Sequence, residues 1–409
     1  MRRVVITGIG VFASTGKKAK SFFETLAQGR SAIRRIQQFD PAQLSVQIAA
    51  EVPDYEPLDY FAAKRLDLLD RFSQFALLAA KEAMDCSGLQ LREEERPRFG
   101  VVTGTGMAGA TTFDSGYFNL YAKQATRLHP FTIPKIMHNA ATSQICMEFG
   151  AQGPSFTTAT ACSSSGHAIG EAFHLIKNDM ADWMLTGGSE APLTFGMIRS
   201  WESVRVLAVG NGDPAKACRP FSADREGLVM GEGAAMLLLE ELEHAKRRGA
   251  TIYGEIAGFG MSSDAGHITQ PSIEGPARAV RMALAEAKAN PEEVDYINAH
   301  GTATRVNDVT ETQVIKEVFG DHARKVAISS TKSMHGHVMG STAAIEFAAT
   351  IQAIDRGVIP PTANYSQPDP ECDLDYVPNQ AREKPVRCAI SNSFAFGGLN
   401  AVLLVRKYE

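Results

Sequence analysis

Short runs that are apolar at nearly every position alternate along the chain with longer stretches whose apolar residues recur every three or four positions. The short runs are "RVVITGIG" (3–10), "FGVVTGTG" (99–106), "DWMLTGG" (182–188), "AAMLLLEE" (234–241), "IYGEIAGFG" (252–260), "VDYINAHG" (294–301) and "KVAISSTK" (325–332). The pair "AISNSFAFGG" (389–398) and "LNAVLLVRK" (399–407) closes the series. Runs apolar on both faces predict central strands covered by helices on each side. Helices are predicted over "LLDRFSQFALLAAKEAMD" (68–85), "GHAIGEAFHLIKND" (166–179), "EGPARAVRMALAEAKA" (274–289) and "STAAIEFAATIQAID" (341–355). Such alternation is the mark of a layered α/β protein.

Two of these segments share an outline. "TTATACSSSGHAIGEAFHLI" and "ISSTKSMHGHVMGSTAAIEFAATI" each read as a strand, an elbow of small residues and a helix. Cys162 marks the first elbow, His335 and His337 the second. A duplicated half explains the likeness and predicts two pseudo-equivalent units, 1–250 and 251–409.

Composition narrows the class. With 409 residues, 44% hydrophobic and 21% charged, the chain builds a large core. A net charge of −5 argues against a nucleic-acid surface. Six cysteines without a C-x-x-C pair argue against a disulfide framework and a zinc site, and favour a reducing compartment. The start, "MRRVVITGIGVFAS", has the charge and apolar run of a signal peptide, but Gly8 and Gly10 among Val and Ile suit a buried strand better. No stretch has the roughly 20 apolar residues a membrane span needs. The expected location is the cytoplasm, with no membrane or nucleic-acid partner.

Cys162 stands out because free cysteines usually only pack. At a helix start, the dipole and free N–H groups favour its thiolate, which predicts a lowered pKa and a nucleophile. His300, in "NAHGTAT" just past a strand, is either a turn residue or a polar group at a cavity rim. Thr302 and Thr304, two apart, face one side in extended backbone. His335 and His337 lack a third ligand nearby in sequence, so a catalytic histidine is the better reading than a metal pair. "NSFAFGG" is a plain hairpin turn or the source of a backbone donor and an aromatic at a cavity mouth. "GTGMAG" (104–109) fits G-x-G-x-x-G but lacks a clear helix after it and an acid at the right distance, so dinucleotide binding is not expected.

Taken in order, Cys162, "NAHGTAT", "STKSMHGH" and "NSFAFGG" resemble the decarboxylating β-ketoacyl-acyl-carrier-protein synthases, most of all the bacterial type II class. The likeness runs through "ITGIGV", "RPFSADREGLVMGEGAAMLLLEE" and "GFGMSSDAGHITQP", so it covers essentially the whole chain. The resemblance implies a thiolase-like α/β fold of two pseudo-duplicated halves in αβαβα layers, usually dimeric. It implies Cys162 as acyl-accepting nucleophile, His300 and His337 as the catalytic histidines, and Lys332 behind them. Glu311 and Glu346 match supporting acids, Thr302 and Thr304 match positions holding the phosphopantetheine arm, and His335 is a bystander. Phe396 matches a gating aromatic whose backbone N–H joins that of Cys162 in an oxyanion hole. Substrates ride on an acyl carrier protein, and no cofactor or metal is expected.

The sequence also departs from the housekeeping pattern. "ACSSSG" is closer to polyketide ketosynthases, Ala395 and Leu399 replace a glycine and a threonine, and Trp201, with Met197, falls where the acyl pocket is lined. Arg65, Arg71 and Arg205 are candidates for meeting the carrier protein, beside Asp67 and Leu68 where basic residues are usual. These departures favour a specialised polyketide, polyene or fatty-acid pathway and a homodimer or a heterodimer with a chain-length-factor-like partner. The alternatives are the housekeeping elongation enzyme and a non-catalytic chain-length-factor-like subunit, which would be free to lose Cys162 and the histidines.

Overall fold

The first apolar run is the strand β1 (Val4–Ala13), and all ten of its residues are buried. The strand reading of the N-terminus therefore holds, and the computed structural model, which describes residues 2–210 and 212–409, shows what the glycines do there. A Cβ on Gly8 or Gly10 would lie 2.2 or 1.9 Å from the carbonyl oxygens of Ala83 or Ala79 on helix α1 (Arg71–Ser87). They are the cost of bringing a helix backbone directly onto a strand.

The other strands of the main sheet are β2 (Phe99–Gly104), β3 (Ser155–Thr158), β4 (Trp183–Glu190), β5 (Gly233–Glu241), β6 (Gly254–Ser263), β7 (Tyr296–Asn298), β8 (Ala327–Ser329), β9 (Cys388–Ala395) and β10 (Leu399–Arg406). They lie in the order β8-β7-β9-β10-β6-β1-β5-β4-β2-β3. Cut between β6 and β1, this is the same order twice: β1-β5-β4-β2-β3, and the same with five added to each number. Directions repeat as well, antiparallel for the first two pairings of each half and parallel for the last two. The halves join where only Val4–Ile6 pair with Gly254–Ile256.

The helices repeat too. Besides α1, they include α2 (Ser164–Lys177), α3 (Glu274–Ala287), α4 (Arg305–Phe319) and α5 (Thr342–Arg356). Helix α1 covers β1, β5 and β4 from outside, α3 covers β6 and β10, and α2 and α5 are packed between the halves. Gly258 and Gly260 on β6 repeat the glycines of β1: their Cβ atoms would lie 2.2 and 1.9 Å from Ala283 and Ala279 oxygens on α3. The layers are thus helix, sheet, helix, sheet, helix. Most predicted elements are present, but "KVAISSTK" gives only three strand residues before the backbone turns into the short helix Lys332–His335.

Adding a methyl at Gly10 or Gly260 forces a strand off its helix, and overpacking of this kind costs about 1–3 kcal/mol or more. Gly10→Ala and Gly260→Ala are each expected to lower the unfolding free energy by that amount, read as a lower urea midpoint at an unchanged slope. An unchanged midpoint for both would show that the strand–helix approach is not tight.

Candidate active site

Cys162 sits in a tight turn (Ala161–Ser163) that feeds directly into α2. Ala161 has φ +51°, a left-handed conformation that costs a non-glycine residue on the order of 1 kcal/mol and turns the next side chain out of the sheet. The serines after it hold the turn. Ser163 donates to Thr160 O (2.8 Å), Ser164 donates to Ala161 O (2.7 Å) and accepts from Thr160 N–H (2.8 Å). Ser165 accepts the Ala344 N–H (2.9 Å), tying α2 to α5. The "SSS" run therefore has structural work at each position.

The second elbow lies slightly later than the sequence pattern suggests. Met339 has φ +44° and α5 begins three residues on, as α2 begins three residues after Ala161. Gly340 thus occupies the place of Cys162, and His337 precedes the elbow. His335 is fully buried, its ring nitrogens facing Gly336 O and Thr331 Oγ1, which makes it the bystander expected of it.

The two elbows bring together residues from distant parts of the chain. The Cys162 sulfur and a ring nitrogen from each of His300 and His337 all lie within 4.8 Å of one another. The Met339 N–H donates to His337 Nδ1 (3.0 Å), leaving the proton on Nε2. Lys332 donates to His300 O (2.5 Å) and Glu346 Oε1 (2.5 Å), and its ammonium lies 3.5 Å from His300 Nδ1, which gives His300 the same tautomer. Glu311 accepts the N–H groups of His300 (2.8 Å) and Gly301 (2.7 Å) and an amide proton of Asn392 (3.1 Å). Burial, then the Lys332 charge, holds both imidazoles well below their ordinary pKa, so they are neutral N–H donors.

The thiol corrects one expectation. Burial pushes Cys162 up to about 11, although the Lys332 charge and the backbone N–H groups of Phe396 and Cys162 pull it back. The site therefore holds a thiol rather than a thiolate at neutral pH, with the backbone N–H groups of Phe396 and Cys162 converging on its sulfur.

A cavity of about 430 Å³ opens onto these groups, lined among others by Thr302, Thr304, Trp201, Arg205 and Phe396. The two threonine hydroxyls meet at 2.8 Å, but Ala303 between them has φ +66°, so a turn and not the expected extended backbone brings them together. Trp201 stacks on Phe396 (ring centroids 5.9 Å, 27°), so it braces the cavity mouth. Met197, one turn back on the same helix (Phe195–Val204), does not line this cavity.

Of the three arginines, Arg205 is exposed at the cavity mouth, and Arg65 is half exposed and bridged to Glu148 (2.8 Å). Arg71 is a correction. Its guanidinium forks onto the buried carboxylate of Glu232 (2.9 and 2.6 Å) and lies over the Tyr55 and Phe75 rings, so it is spent on the core. Among the buried charges that escaped the sequence reading are Arg225, which lines the cavity and pairs with Asp369 (2.6 Å), and Glu190. Neither sits in a recognisable pattern, because their partners come from elsewhere in the chain.

Alkylation of Cys162 by iodoacetamide is expected to climb about tenfold per pH unit between pH 7 and 10, following the thiolate fraction. A plateau by pH 8 would show the helix start outweighing burial. Below pH 6.5 the unfolded chain binds protons that the depressed imidazoles of the fold refuse, so stability falls as pH drops through that value. Arg71→Ala strips the partner from a buried carboxylate and is expected to cost about 3 kcal/mol or more, without raising the KM for a carrier protein. Arg205→Glu is expected to do the reverse, and equal KM effects from both would contradict this assignment.

Comparison with known proteins agrees with this geometry. Residues 1–245 match the beta-ketoacyl synthase N-terminal domain, and residues 253–366 the C-terminal domain. The chain is 48% identical to Nodulation protein E of Rhizobium sp. (strain N33), over 99% of both chains. It is 43% identical to 3-oxoacyl-[acyl-carrier-protein] synthase 2 of Synechocystis sp., over 100% of this chain and 99% of the other. A solved structure described as "The ishigamide ketosynthase/chain length factor" superposes over the full length of both chains with TM-score 0.93 at 37% identity. With its thiolase-like layers, its paired elbows and both domain matches, the chain belongs to the beta-ketoacyl synthase family.

Proposed function

We propose that this ketosynthase catalyses decarboxylative Claisen condensation of malonyl groups onto an acyl chain carried by Cys162, both substrates delivered by an acyl carrier protein. The observation that carries the reading is the meeting of one thiol with two neutral imidazole N–H groups inside 4.8 Å. In the first half-reaction the sulfur attacks the acyl thioester. The backbone N–H groups of Cys162 and Phe396 hold the oxyanion, and the thiol proton leaves with the pantetheine thiol. In the second, malonyl thioester loses CO₂ and negative charge builds on its carbonyl oxygen. Two neutral donors, His300 and His337, stabilise that enolate without protonating the carbon that must attack. The new carbon–carbon bond forms at the acyl carbonyl, the cysteine sulfur leaves as thiolate, and a proton taken up from solvent restores the thiol in place of the one that left with the first pantetheine.

The greater identity to a nodulation protein than to a named 3-oxoacyl synthase supports a specialised pathway over housekeeping elongation. A second ketosynthase-like chain is proposed as partner, in a homodimer or as a chain-length-factor-like subunit. The free edge strand β3, which exposes Phe156 (40%), supports such a contact. No described helix is long and apolar enough to cross a membrane. All six cysteines are unpaired, which supports a cytoplasmic site of action.

Incubation with acyl-carrier protein is expected to add the acyl mass to Cys162, and Cys162→Ala to abolish it. His300→Ala and His337→Ala are expected to keep acylation and lose condensation by about 10²–10³-fold, as when one oxyanion donor is removed. The three clustered ligand atoms also suit a zinc ion. Activity that vanishes with a chelator and returns with zinc would favour a metal site instead. A stable homodimer that extends ordinary saturated chains as readily as any other would sink the specialised reading.

A further inference from the structure

The glycine-rich turn "GTGMAG" does cradle an anion, but the anion belongs to the protein. Glu190, at the end of β4 and fully buried, accepts the N–H groups of Gly106 (2.6 Å) and Met107 (3.0 Å) and the Thr105 hydroxyl (3.0 Å). The fourth donor is the Gly340 N–H (3.0 Å), from the other half of the chain. All four contacts are donors and favour the ionised form, against a burial that pushes Glu190 up to about 7. A Cβ on Gly340 would lie 2.3 Å from Gly106 N and 2.8 Å from Glu190 Oε2, so only glycine lets the two backbones meet here.

The duplication gives this contact its meaning. Gly340 holds the place in the second elbow that Cys162 holds in the first. Cys162 lines the reacting cavity, whereas the Gly340 N–H is filled by Glu190. The residue before Gly340 is Met339, whose N–H sets the tautomer of His337.

We propose that Glu190 is a positioning residue of the condensing site, holding the second elbow so that Met339 keeps the His337 N–H aimed at the cavity. It never touches substrate. Its effect therefore falls on the half-reaction that depends on His337, and the inference rests on the role proposed above for that histidine. Its negative charge also opposes ionisation of the Cys162 thiol, which gives the opposite sign for the other half-reaction.

The test compares Glu190→Gln, His337→Ala and the unaltered protein in two assays: CO₂ release from malonyl-carrier protein, and iodoacetamide alkylation of Cys162. For Glu190→Gln, decarboxylation is expected to fall about tenfold or more, as for a slightly misplaced catalytic group, while alkylation holds or quickens. Equal losses in both assays mean a merely structural role and overturn the inference, as does decarboxylation within twofold of the unaltered protein. Should Glu190→Gln fail to fold, Thr105→Val removes one donor from the same carboxylate and is expected to show the same split at a smaller factor, and equal losses there overturn it too. If His337→Ala leaves decarboxylation intact, the role of His337 itself is wrong. If only Glu190→Gln leaves it intact, the Glu190 inference alone falls.

Discussion

The site depends on how closely the starts of α2 and α5 approach one another. Gly166 makes that approach possible: a Cβ there would lie 3.1 Å from the Ala401 Cβ and 3.3 Å from that of Ala343. Ser165 then takes the Ala344 N–H across the gap. Two helix N-termini facing each other collect free N–H groups and positive dipole ends in one place. Such a place suits chemistry that passes through an oxyanion and then an enolate. One elbow carries the Cys162 thiol, and the other, with His337 just before it, carries a neutral imidazole.

Burial then sets the electrostatics. Lys332 is fully buried, and its ammonium finds the carbonyl of His300 and the carboxylate of Glu346, so its charge is matched rather than stranded. Burial, helped by the same charge, keeps His300 and His337 neutral. Burial that helps the histidines works against the cysteine, whose thiol is raised rather than lowered. The two demands pull the same environment in opposite directions, and backbone N–H groups at the sulfur are the local counterweight.

Duplication ties the fold to this arrangement. Two units with the same strand order place two elbows symmetrically about the join between β1 and β6, and the chemistry then diverged at equivalent positions. Cys162 and Gly340 stand at matched points, yet one faces the cavity and the other is sealed by Glu190. The matching glycine–alanine contacts of α1 and α3 hold the outer helices in the same way on both sides.

The layered α/β class and most elements were legible in the sequence, because period and local motif suffice to mark strands, helices and elbows. Cys162 drew attention by its place before a helix, whereas His300, His337 and Lys332 were gathered into one site only through the family resemblance. The glycines of "GTGMAG" and "GIG" were visible but not their partners, since a close approach depends on what approaches. Arg71 looked free because Glu232 stands far off in the chain, and Glu190 looked unremarkable for the same reason. The thiol's pKa was read from a helix start alone, a local property, whereas burial is the sum of everything packed around it. The sequence by itself determined which groups could react. Only the tertiary structure decided which of them meet, which charges are spent on the core and how far each is shielded from water, because those depend on contacts between residues distant in the chain.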